Sequence, residues 1–490
     1  MNASYETVIG LEVHAQLRTH SKLFCGCSTQ FGAPPNAHTC PTCLGLPGSL
    51  PVPNAAAIEL AMRAALAVGC EVRERSVFER KNYFYPDLAK GYQISQYALP
   101  LNVAGKLEVE TEAGGRRVIG ITRIHLEEDA AKNLHSSAAA QTLVDFNRAG
   151  VALIEIVSEP DLRSSAEAEQ YLRNLREILM AVGVNDGNLE EGSFRCDANV
   201  SIRAPGATEL GTRTELKNIN SFRFVRKAID YEAARHHAVI AGGGKIVQET
   251  RLWDDAQGKT VPMRSKEEAM DYRYFPDPDL PPIVVSAAQI EAAAGVLPEL
   301  PATKRARYVA ELGLTAADAG VLTSHPALSG FFEATVEELS SRLGGRIEPA
   351  RAGKRAANFI QAEVLRDFSA DGLEASLPLS AAALSELLAL LEAGSISGKM
   401  AKGVLAEMIA SGKPAAKIVE EQGLSQVSDS ALIEEVVRKV VDGSPDNVAA
   451  YRAGKQNVVG WFVGQVMKET RGQANPRMVN ELLRKLLEGE

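Results

Sequence analysis

The segment GVALIEIVSEP, residues 150–160, carries apolar side chains on both faces of an extended chain. Strands of this kind lie inside a sheet that is covered on both sides, so the segment requires a sizeable sheet around it. Glu155 stands in the middle of this strand. Because a buried carboxylate without a partner is costly or becomes neutral, Glu155 is expected to have a cationic partner, either an arginine or a metal ion.

Two other segments alternate between polar and apolar residues, as half-buried strands do. In GLEVHAQL, residues 10–17, Glu12 and His14 share the polar face. In ITRIHLEEDA, residues 121–130, one face carries Arg123, His125, Glu127 and Asp129. Glu128 falls on the opposite face and is therefore expected to be of secondary importance.

Three carboxylates and one imidazole in these strands are ligands that magnesium accepts beside substrate phosphates. They are Glu12, His14, Glu127 and Glu155. A solvated polar face would explain Glu12 and His14 by themselves, since amphipathic strands are common. The interior position of Glu155 favours a catalytic metal-carboxylate site, although spacing alone does not bring the strands together.

Phosphate-binding motifs are absent, because the chain contains neither a complete P-loop nor a G-x-G-x-x-G that opens a helix. A nucleotide would therefore be bound through a metal ion, loops and basic side chains. The candidates are Lys81 and Lys90 in RKNYFYPDLAKGYQISQ and Arg195 in the strand SFRCDANVSI. A packed aromatic hairpin and a solvated polar row are the structural alternatives for these segments.

Four cysteines form a C-x-C pair, twelve intervening residues and a C-x-x-C pair, at Cys25, Cys27, Cys40 and Cys43. Two such pairs on glycine- and proline-bearing turns can converge on one tetrahedral zinc ion. The zinc would be structural, because four sulfurs leave no open coordination position. Free or redox-active thiols are the alternative, and His38 within the loop is expected to be a bystander.

The chain has 490 residues and a net charge of −9, which argues against a protein held on nucleic acid by overall positive charge. It has no apolar run near the roughly 20 residues that span a bilayer, and a cytoplasmic protein without membrane contact is expected. The predicted fold is α+β: a large β-rich domain (1–293), a helical connector (294–406) and a small helical tail (407–490). The proline-rich segment FPDPDLPP, residues 275–282, is predicted to be a seam near the first boundary.

The tail is locally basic, with seven basic and two acidic residues between positions 451 and 485. The basic residues are Arg452, Lys455, Lys468, Arg471, Arg477, Arg484 and Lys485. This pattern is typical of a surface that grips an RNA backbone, and equally of helix ends that complement the helix dipole.

Many long stretches in order resemble the B subunits (GatB) of the bacterial aspartyl/glutamyl-tRNA(Asn/Gln) amidotransferases. They are GLEVHAQL, YFYPDLAKGYQISQ, RIHLEEDA, LIEIVSEPD, EGSFRCDANVSIR, GTRTELKNINSFRFV, MRSKEEAMDYRYFPDPDLPP, ISGKMAKGVLAEM and GWFVGQVMKETRGQANPRMVNELL. The resemblance implies a cradle-shaped β-rich domain that receives the aminoacyl end of tRNA, a helical domain and a tail that docks on tRNA.

The resemblance also implies an ATP-dependent carbon-nitrogen ligase with glutamine as amide donor. ATP with Mg²⁺ phosphorylates the side-chain carboxylate of Glu-tRNA(Gln) or Asp-tRNA(Asn), and ammonia channelled from the A subunit displaces the phosphate, with the C subunit as a further partner. By this similarity Glu12, His14, Glu127 and Glu155 would ligate the metal of the kinase site, and the four cysteines match the zinc-bearing members.

Three alanines depart from the family pattern, at Ala89, Ala131 and Ala152. Ala131 stands where a glycine is usual, which would matter if the backbone there needs a positive φ. Two other functions compete with the ligase: a non-catalytic zinc-containing tRNA-binding adaptor and a free-standing metallohydrolase. Whether the Gln route, the Asn route or both are used depends on which synthetases mischarge tRNA.

Overall fold

The structure, a computed structural model, describes residues 5–135, 141–263, 271–371, 373–424, 430–470, 474 and 476–488. It divides into two compact units. The first comprises Met1–Thr303 with Asp371–Leu373, and the second comprises Lys304–Ala370 with Glu374–Glu490. None of the described helices has the length and apolar character needed to cross a bilayer.

The strands of the described chain are short and numerous in the first unit. In chain order they are β1 (Glu6–Gln16), β2 (Glu71–Val72), β3 (Arg75–Ser76), β4 (Glu79–Asn82), β5 (Tyr92–Ser95), β6 (Asn102–Glu110), β7 (Arg116–Glu128), β8 (Lys132–His135), β9 (Thr142–Asp145), β10 (Ala152–Ser158), β11 (Phe194–Arg203), β12 (Thr214–Lys217), β13 (Glu249–Asp254), β14 (Lys259–Pro262), β15 (Phe275–Pro276), β16 (Ile283–Val284), β17 (Ser369–Asp371) and β18 (Glu374–Ser376).

The helices dominate the second unit. They are α1 (Ala55–Ala67), α2 (Ser165–Ala181), α3 (Phe222–Ala241), α4 (Ala287–Gly295), α5 (Pro301–Leu312), α6 (Ala316–Thr323), α7 (Pro326–Arg342), α8 (Pro349–Phe359), α9 (Ala381–Glu392), α10 (Gly398–Ser411), α11 (Ala415–Glu421), α12 (Ser430–Asp442), α13 (Pro445–Arg452), α14 (Val458–Glu469) and α15 (Pro476–Glu488). A π-helical turn (Ile360–Val364) and a 3₁₀ turn (Leu365–Asp367) follow α8.

A nine-stranded mixed sheet organises the first unit, in the order β14-β13-β12-β11-β1-β10-β7-β6-β2. Its neighbouring strands are antiparallel except for the parallel pair β12 and β13. One face of β1 places Leu11, Val13 and Ala15 in an apolar core shared with α1, α2 and α3. The other face carries Glu12 and His14, so the alternation in the sequence correctly separates a core face from a polar face.

The three helices that cover this sheet begin where the sequence predicts. Asn54, Ser164 and Ser221 have extended backbones, and each side chain accepts a hydrogen bond from an amide in the first turn. Such caps satisfy amide groups that have no partner within the helix. The predicted α+β class is confirmed.

The proline-rich segment at residues 275–282 is part of the first unit and not an open seam. Its first residues form β15, which pairs with β4 in a three-stranded sheet of order β15-β4-β5. Arg80 anchors the segment, because its guanidinium contacts Asp277 at 2.8 Å and Asp279 at 2.9 Å. Proline is tolerated there because β15 lies at the edge of the sheet.

Two predicted domain boundaries differ from the structure. Residue 293 lies within α4, where Ala293 belongs to the first core, and residue 406 lies within α10. The helices α10 and α11 contribute to one apolar cluster that extends to Leu424, whereas α12, α14 and α15 form a separate cluster. The boundaries move because a helix with continuous backbone hydrogen bonds and a buried face is not a flexible linker.

A buried charged cluster joins α3 to the β13-β14 edge of the large sheet. Glu232 accepts hydrogen bonds from Arg235 at 2.9 Å and from the Thr260 hydroxyl at 2.7 Å, and His236 Nε2 lies 3.1 Å away. Burial by itself would raise the pKa of Glu232, but the hydrogen bonds from His236, Arg235 and Thr260 lower it to about 2. This carboxylate therefore stabilises the folded state in its charged form.

Replacing Glu232 with glutamine is expected to lower the free energy of unfolding at pH 7 by roughly 3 kcal/mol, because a buried guanidinium loses its anion. The folded-state pKa lies below the ordinary value of 4.5, so the stabilisation is present above that pH and is lost as the pH falls towards 2. Urea denaturation should therefore show a smaller difference between variant and wild type at pH 4 than at pH 7. The exposed pair Glu108–Arg116 in the same sheet provides the control, and Glu108→Gln should change stability little. A difference that does not depend on pH would contradict the role assigned to the charge.

Candidate functional site

Strand register brings the predicted residues of the polar face into one row. Arg195 of β11 lies opposite His14 of β1, His14 lies opposite Glu155 of β10, and Glu155 lies opposite His125 of β7. Directly paired residues project from the same face of a sheet with their Cβ atoms close together. Glu127 lies two residues further along β7 than His125, on the same face.

His14, Glu127 and Glu155 form a compact group, hereafter the trio, whose ligand atoms all lie within 4.8 Å of one another. His14 Nε2 is 3.5 Å from Glu155 Oε2 and 3.7 Å from Glu127 Oε1. Ligands about 2.1 Å from one octahedral magnesium ion are roughly 3.0 to 4.2 Å apart, so these two separations suit a shared divalent cation. Oxygen and imidazole donors also have the right chemistry for magnesium or manganese.

Two cationic groups besides His14 face the trio. His125 Nε2 lies 3.5 Å from Glu155 Oε2 and 3.7 Å from Glu127 Oε2, and the residue is buried. Burial by itself would lower the pKa of Lys81 on β4, but the charges of Glu127, Tyr274 and Glu155 raise it well above its usual range. A permanently charged ammonium beside a carboxylate pair can also offset the charge of a phosphate.

The protons of the trio are arranged by charge. Burial by itself would lower the pKa of His14, but its hydrogen bond to Glu155 and the charges of Glu155 and Glu127 raise it to about 9. Burial raises the pKa of Glu155, yet the nearby His125, His14 and Lys81 hold it well below its usual range. Without a metal ion, His14 is therefore an imidazolium at neutral pH and serves as the cationic partner that Glu155 requires.

We expect the affinity of the trio for Mn²⁺ to rise about tenfold per pH unit between pH 6 and 8, because a metal ion must displace the proton from His14. The direction follows from the raised pKa of about 9, below which the proton competes with the metal. Calorimetric titration of the full chain with Mn²⁺ at several pH values measures the slope. His14→Ala should bind Mn²⁺ more weakly and without this slope, and an unchanged slope would contradict the assignment.

Glu12 lies beside the trio but is not one of its members. It stands two residues before His14 on β1 and accepts a hydrogen bond from Asn199 Nδ2 at 3.2 Å. Burial, followed by the charges of Glu155 and Glu215, raises its pKa. Its predicted role as a metal ligand stays a prediction. The crowding of carboxylates at this point nevertheless favours a bound cation.

Arg195 is held at the edge of the site by Asp129. Its guanidinium donates to Asp129 Oδ1 at 3.0 Å, while Gln16 Nε2 donates to Asp129 Oδ2 at 2.8 Å and Arg148 lies 3.7 Å from the same oxygen. Arg195 also lies opposite His14 in the sheet, so the structure places it and Lys81 around the trio, as the sequence predicts for phosphate-binding groups.

Lys90 lies in a different place. Its ammonium pairs with Glu128, which also accepts a hydrogen bond from the Ile94 amide at 2.9 Å. Both side chains line a cavity of about 120 Å³ together with Cys25 and Cys43. Because Glu128 points to the other face of β7, its partner Lys90 is directed away from the trio. The structure thus does not bring Lys90 to the predicted phosphate site.

The four clustered cysteines converge, with their sulfur atoms all within 4.8 Å of one another. Lys22 is fully buried beside them, and its ammonium lies 3.6 Å from Cys43 Sγ while it donates to the His38 carbonyl at 2.7 Å. A buried ammonium needs an anion, and a thiolate at Cys43 supplies one. Hydrogen bonds from Cys25 and Cys40 and the charge of Lys22 hold the pKa of Cys43 well below its usual range. Four sulfurs at this spacing fit a tetrahedral zinc ion, and His38 contributes only backbone groups to these contacts.

Sequence patterning placed His125 on the polar face but did not assign it to the site. The signal was present, since His125 precedes Glu127 by two residues and therefore shares its face. The anchoring role of Asp129 was also missed. Nothing in the local sequence showed that Asp129 would meet Arg195 from a strand 66 residues away.

The three alanines that depart from the family pattern do not disturb the site. Among the described residues, the non-glycine positions with positive φ are Asn36, Ala104, Asn218 and Arg273, so Ala131 is not one of them. Ala131 is buried, and its amide donates to the Asp87 carbonyl at 3.0 Å. An alanine there carries no backbone strain.

The predicted basic surface of the tail is only partly described. Lys455, Lys468, Arg484 and Lys485 are exposed, and Arg452 donates to the Leu487 carbonyl at 3.2 Å. Arg471, the side chain of Arg477 and residues 264–270 of the MRSKEEAMDYRYFPDPDLPP stretch lie outside the described residues. RNA binding by this surface stays a prediction.

Comparison with known proteins covers nearly the whole chain. A family model described as the GatB/GatE catalytic domain matches residues 7–291, and one described as the GatB domain matches residues 331–487. Proteins from Anaeromyxobacter sp. (strain Fw109-5) and Geotalea daltonii are each 54% identical to this chain, and one from Myxococcus xanthus is 52% identical. Each alignment covers 99% of this chain and at least 99% of the relative. All three relatives are named as the B subunit of aspartyl/glutamyl-tRNA(Asn/Gln) amidotransferase, and the chain belongs to this family of amidotransferase B subunits.

Proposed function

We propose that this chain is the B subunit of a cytoplasmic heterotrimeric, glutamine-dependent amidotransferase, with the A and C subunits of that enzyme as partners. It activates the side-chain carboxylate of Glu-tRNA(Gln), Asp-tRNA(Asn) or both by transfer of the γ-phosphoryl group of ATP. Ammonia released from glutamine in the A subunit then attacks the acyl phosphate, so that an amide forms and inorganic phosphate leaves. Membership of the family and the names of the relatives support this proposal.

The convergence of the trio is the observation that carries the catalytic part of the proposal. The first step brings a carboxylate and a triphosphate together, and their charges repel one another. His14, Glu127 and Glu155 would hold Mg²⁺, which supplies positive charge to the phosphoryl group and orients it for in-line transfer. Because both carboxylates are fixed by neighbouring groups, the protein does not need to reorganise around the cation.

Lys81 and Arg195 would neutralise the remaining negative charge of the substrates. Lys81 stays protonated beside Glu127 and Glu155 and lies over the ring of Tyr272 at 4.9 Å from its centroid. The guanidinium of Arg195 is oriented by Asp129, which leaves its other nitrogen atoms available to phosphate or carboxylate oxygens.

The remaining parts of the chain would serve the tRNA and the fold. Cys25, Cys27, Cys40 and Cys43 would hold a structural zinc ion in a loop that has few apolar residues of its own. The exposed basic residues of α14 and α15 and the connection before them would contact the tRNA backbone. Neither part takes part in the phosphoryl transfer.

A non-catalytic adaptor is the second candidate, since the cysteine loop and the basic tail would suffice for it. The buried position of Glu155 weighs against this alternative. An adaptor gains nothing from two carboxylates and two imidazoles gathered on the interior strands of a sheet.

The proposal is tested by reconstituting the full complex of this chain with the A and C subunits. ATP cleavage should require Mg²⁺ and either Glu-tRNA(Gln) or Asp-tRNA(Asn), and omission of one tRNA at a time identifies the route. An adaptor predicts that the partners cleave ATP equally well when the trio is disabled. A free-standing metallohydrolase predicts turnover by this chain without partners or tRNA.

A further inference from the structure

A cavity of about 170 Å³ opens on the polar face of the large sheet, beside the trio. Glu12 forms the wall nearest to His14, and Gly10 forms the floor two residues earlier on β1. Gly10 and His14 are four residues apart on one face, so the cavity floor lies about 13 Å from the trio along the strand. The extended ribose and triphosphate of ATP bridge a comparable length.

The walls of the cavity are suited to a flat ring. Val8, Val157, Pro160 and Leu210 supply apolar surface, and Leu210 is 57% exposed at the mouth. A closed apolar cavity of about 150 Å³ holds one benzene ring, so an open one of this size accepts a heteroaromatic base whose polar edge remains near solvent. The Ser201 hydroxyl group and Asn199 line the same space and can contact that edge.

Arg213 is the cationic residue of the lining. It is exposed, and within the described part of the chain no carboxylate lies at ion-pair distance from it. A guanidinium at this position can stack on a base or contact a phosphate oxygen. One cation is too few for an RNA backbone, whose binding depends on neutralising several phosphates, so the lining favours a single nucleotide.

The absence of a side chain at Gly10 keeps the cavity open. A Cβ built there would lie 3.8 Å from Pro160 Cα, which is an ordinary contact, and the φ of Gly10 is not in the left-handed region. A larger residue is therefore compatible with the strand and would project into the space. The glycine is needed for the volume of the cavity rather than for the backbone.

We infer that this cavity, at Gly10 with Arg213 at its rim, receives the adenine base of the ATP whose phosphates reach the trio. The inference rests on the proposed function, because it takes ATP to be the phosphoryl donor. Its new content is the place of the nucleoside and the residues that select it. The phosphates then pass over Glu12 towards His14, Lys81 and Arg195.

The test measures the binding of two probes, ATP with Mg²⁺ and tripolyphosphate with Mg²⁺, to the full complex by isothermal calorimetry. Gly10→Val should weaken ATP binding roughly 10- to 100-fold, because its methyl groups occupy the space of the base. Tripolyphosphate lacks a base, so its affinity should not change. Gly10→Ala should give a smaller effect in the same direction, and Arg213→Ala should also weaken ATP, whereas the exposed Arg116→Ala serves as the matched control.

Other outcomes overturn the inference in distinguishable ways. Equal loss of ATP and tripolyphosphate would mean that the substitutions disturb the trio. An unchanged affinity for ATP with a raised KM for aminoacyl-tRNA would assign the cavity to the terminal adenosine of tRNA. If Gly10→Val fails to fold, Gly10→Ala and Arg213→Ala decide the question. A wild-type complex that does not bind ATP would contradict the proposed function itself, whereas binding that is insensitive to these substitutions would contradict only the inference.

Discussion

Replacing Glu155 with glutamine is expected to lower tRNA-dependent ATP cleavage by the assembled complex roughly 100- to 1,000-fold. The substitution keeps the size of the side chain but removes one of the two negative charges of the trio, and His14 loses its nearest carboxylate at 3.5 Å. Cation binding should weaken in parallel. The measurements are the rate of phosphate release in the presence of Glu-tRNA and the affinity of the full chain for Mn²⁺.

Matched variants separate this effect from a loss of structure. Glu127→Gln should act in the same direction, because Glu127 is the other carboxylate of the trio. Glu110→Gln, at an exposed position in β6 of the same sheet, should leave both measurements unchanged. If Glu155→Gln retains activity within a few-fold of the wild type, the trio is not the kinase site, although the family membership would stand.

The largest effect on stability is expected for Cys43→Ser. Loss of this sulfur removes one of four zinc-binding groups and leaves the ammonium of Lys22, fully buried, without its anion. Breaking a buried charged pair by removing one partner costs roughly 3 to 5 kcal/mol, and the loss of zinc adds to this cost. We expect the zinc content, measured by mass spectrometry, to fall from one per chain to well below one, together with a clear decrease in melting temperature.

Cys70→Ser is the matched control, because Cys70 is also buried but lies outside the cluster. It should leave the zinc content unchanged. Titration of accessible thiols in the wild-type protein, before and after removal of zinc by a chelator, distinguishes a zinc site from free or redox-active cysteines. A zinc content that is unaffected by Cys43→Ser would contradict the proposed ligand set.

Local patterns determined much of the fold and part of the site. Alternation along residues 10–17 and 121–130 correctly assigned each side chain to the core face or the polar face, since the pleat of a strand has a fixed period of two. Polar residues with a short side-chain acceptor correctly marked the first turns of α1, α2 and α3. The spacing of the cysteines also indicated their convergence, because both pairs lie on turns within nineteen residues.

Other features depend on which strands become neighbours and in what register. No local pattern places Arg195 opposite His14, or Glu155 opposite His125, because those pairs join residues far apart in the chain. For the same reason the sequence did not separate Lys81, which faces the trio, from Lys90, which pairs with Glu128 on the other side of β7. Both lysines belong to one short segment of the chain, and only the small sheet that carries β4 and β5 directs them to different sites.

The sequence by itself determined the chemistry available to this protein: carboxylates and an imidazole on amphipathic strands, a thiol cluster and a family membership that spans the chain. The tertiary structure decided which of these groups meet. It gathered His14, Glu127 and Glu155, added His125 and left Glu12 at the wall of a neighbouring cavity. The physical reason is that residue type and face are set by local backbone geometry, whereas register is set by the packing of the whole sheet on its core.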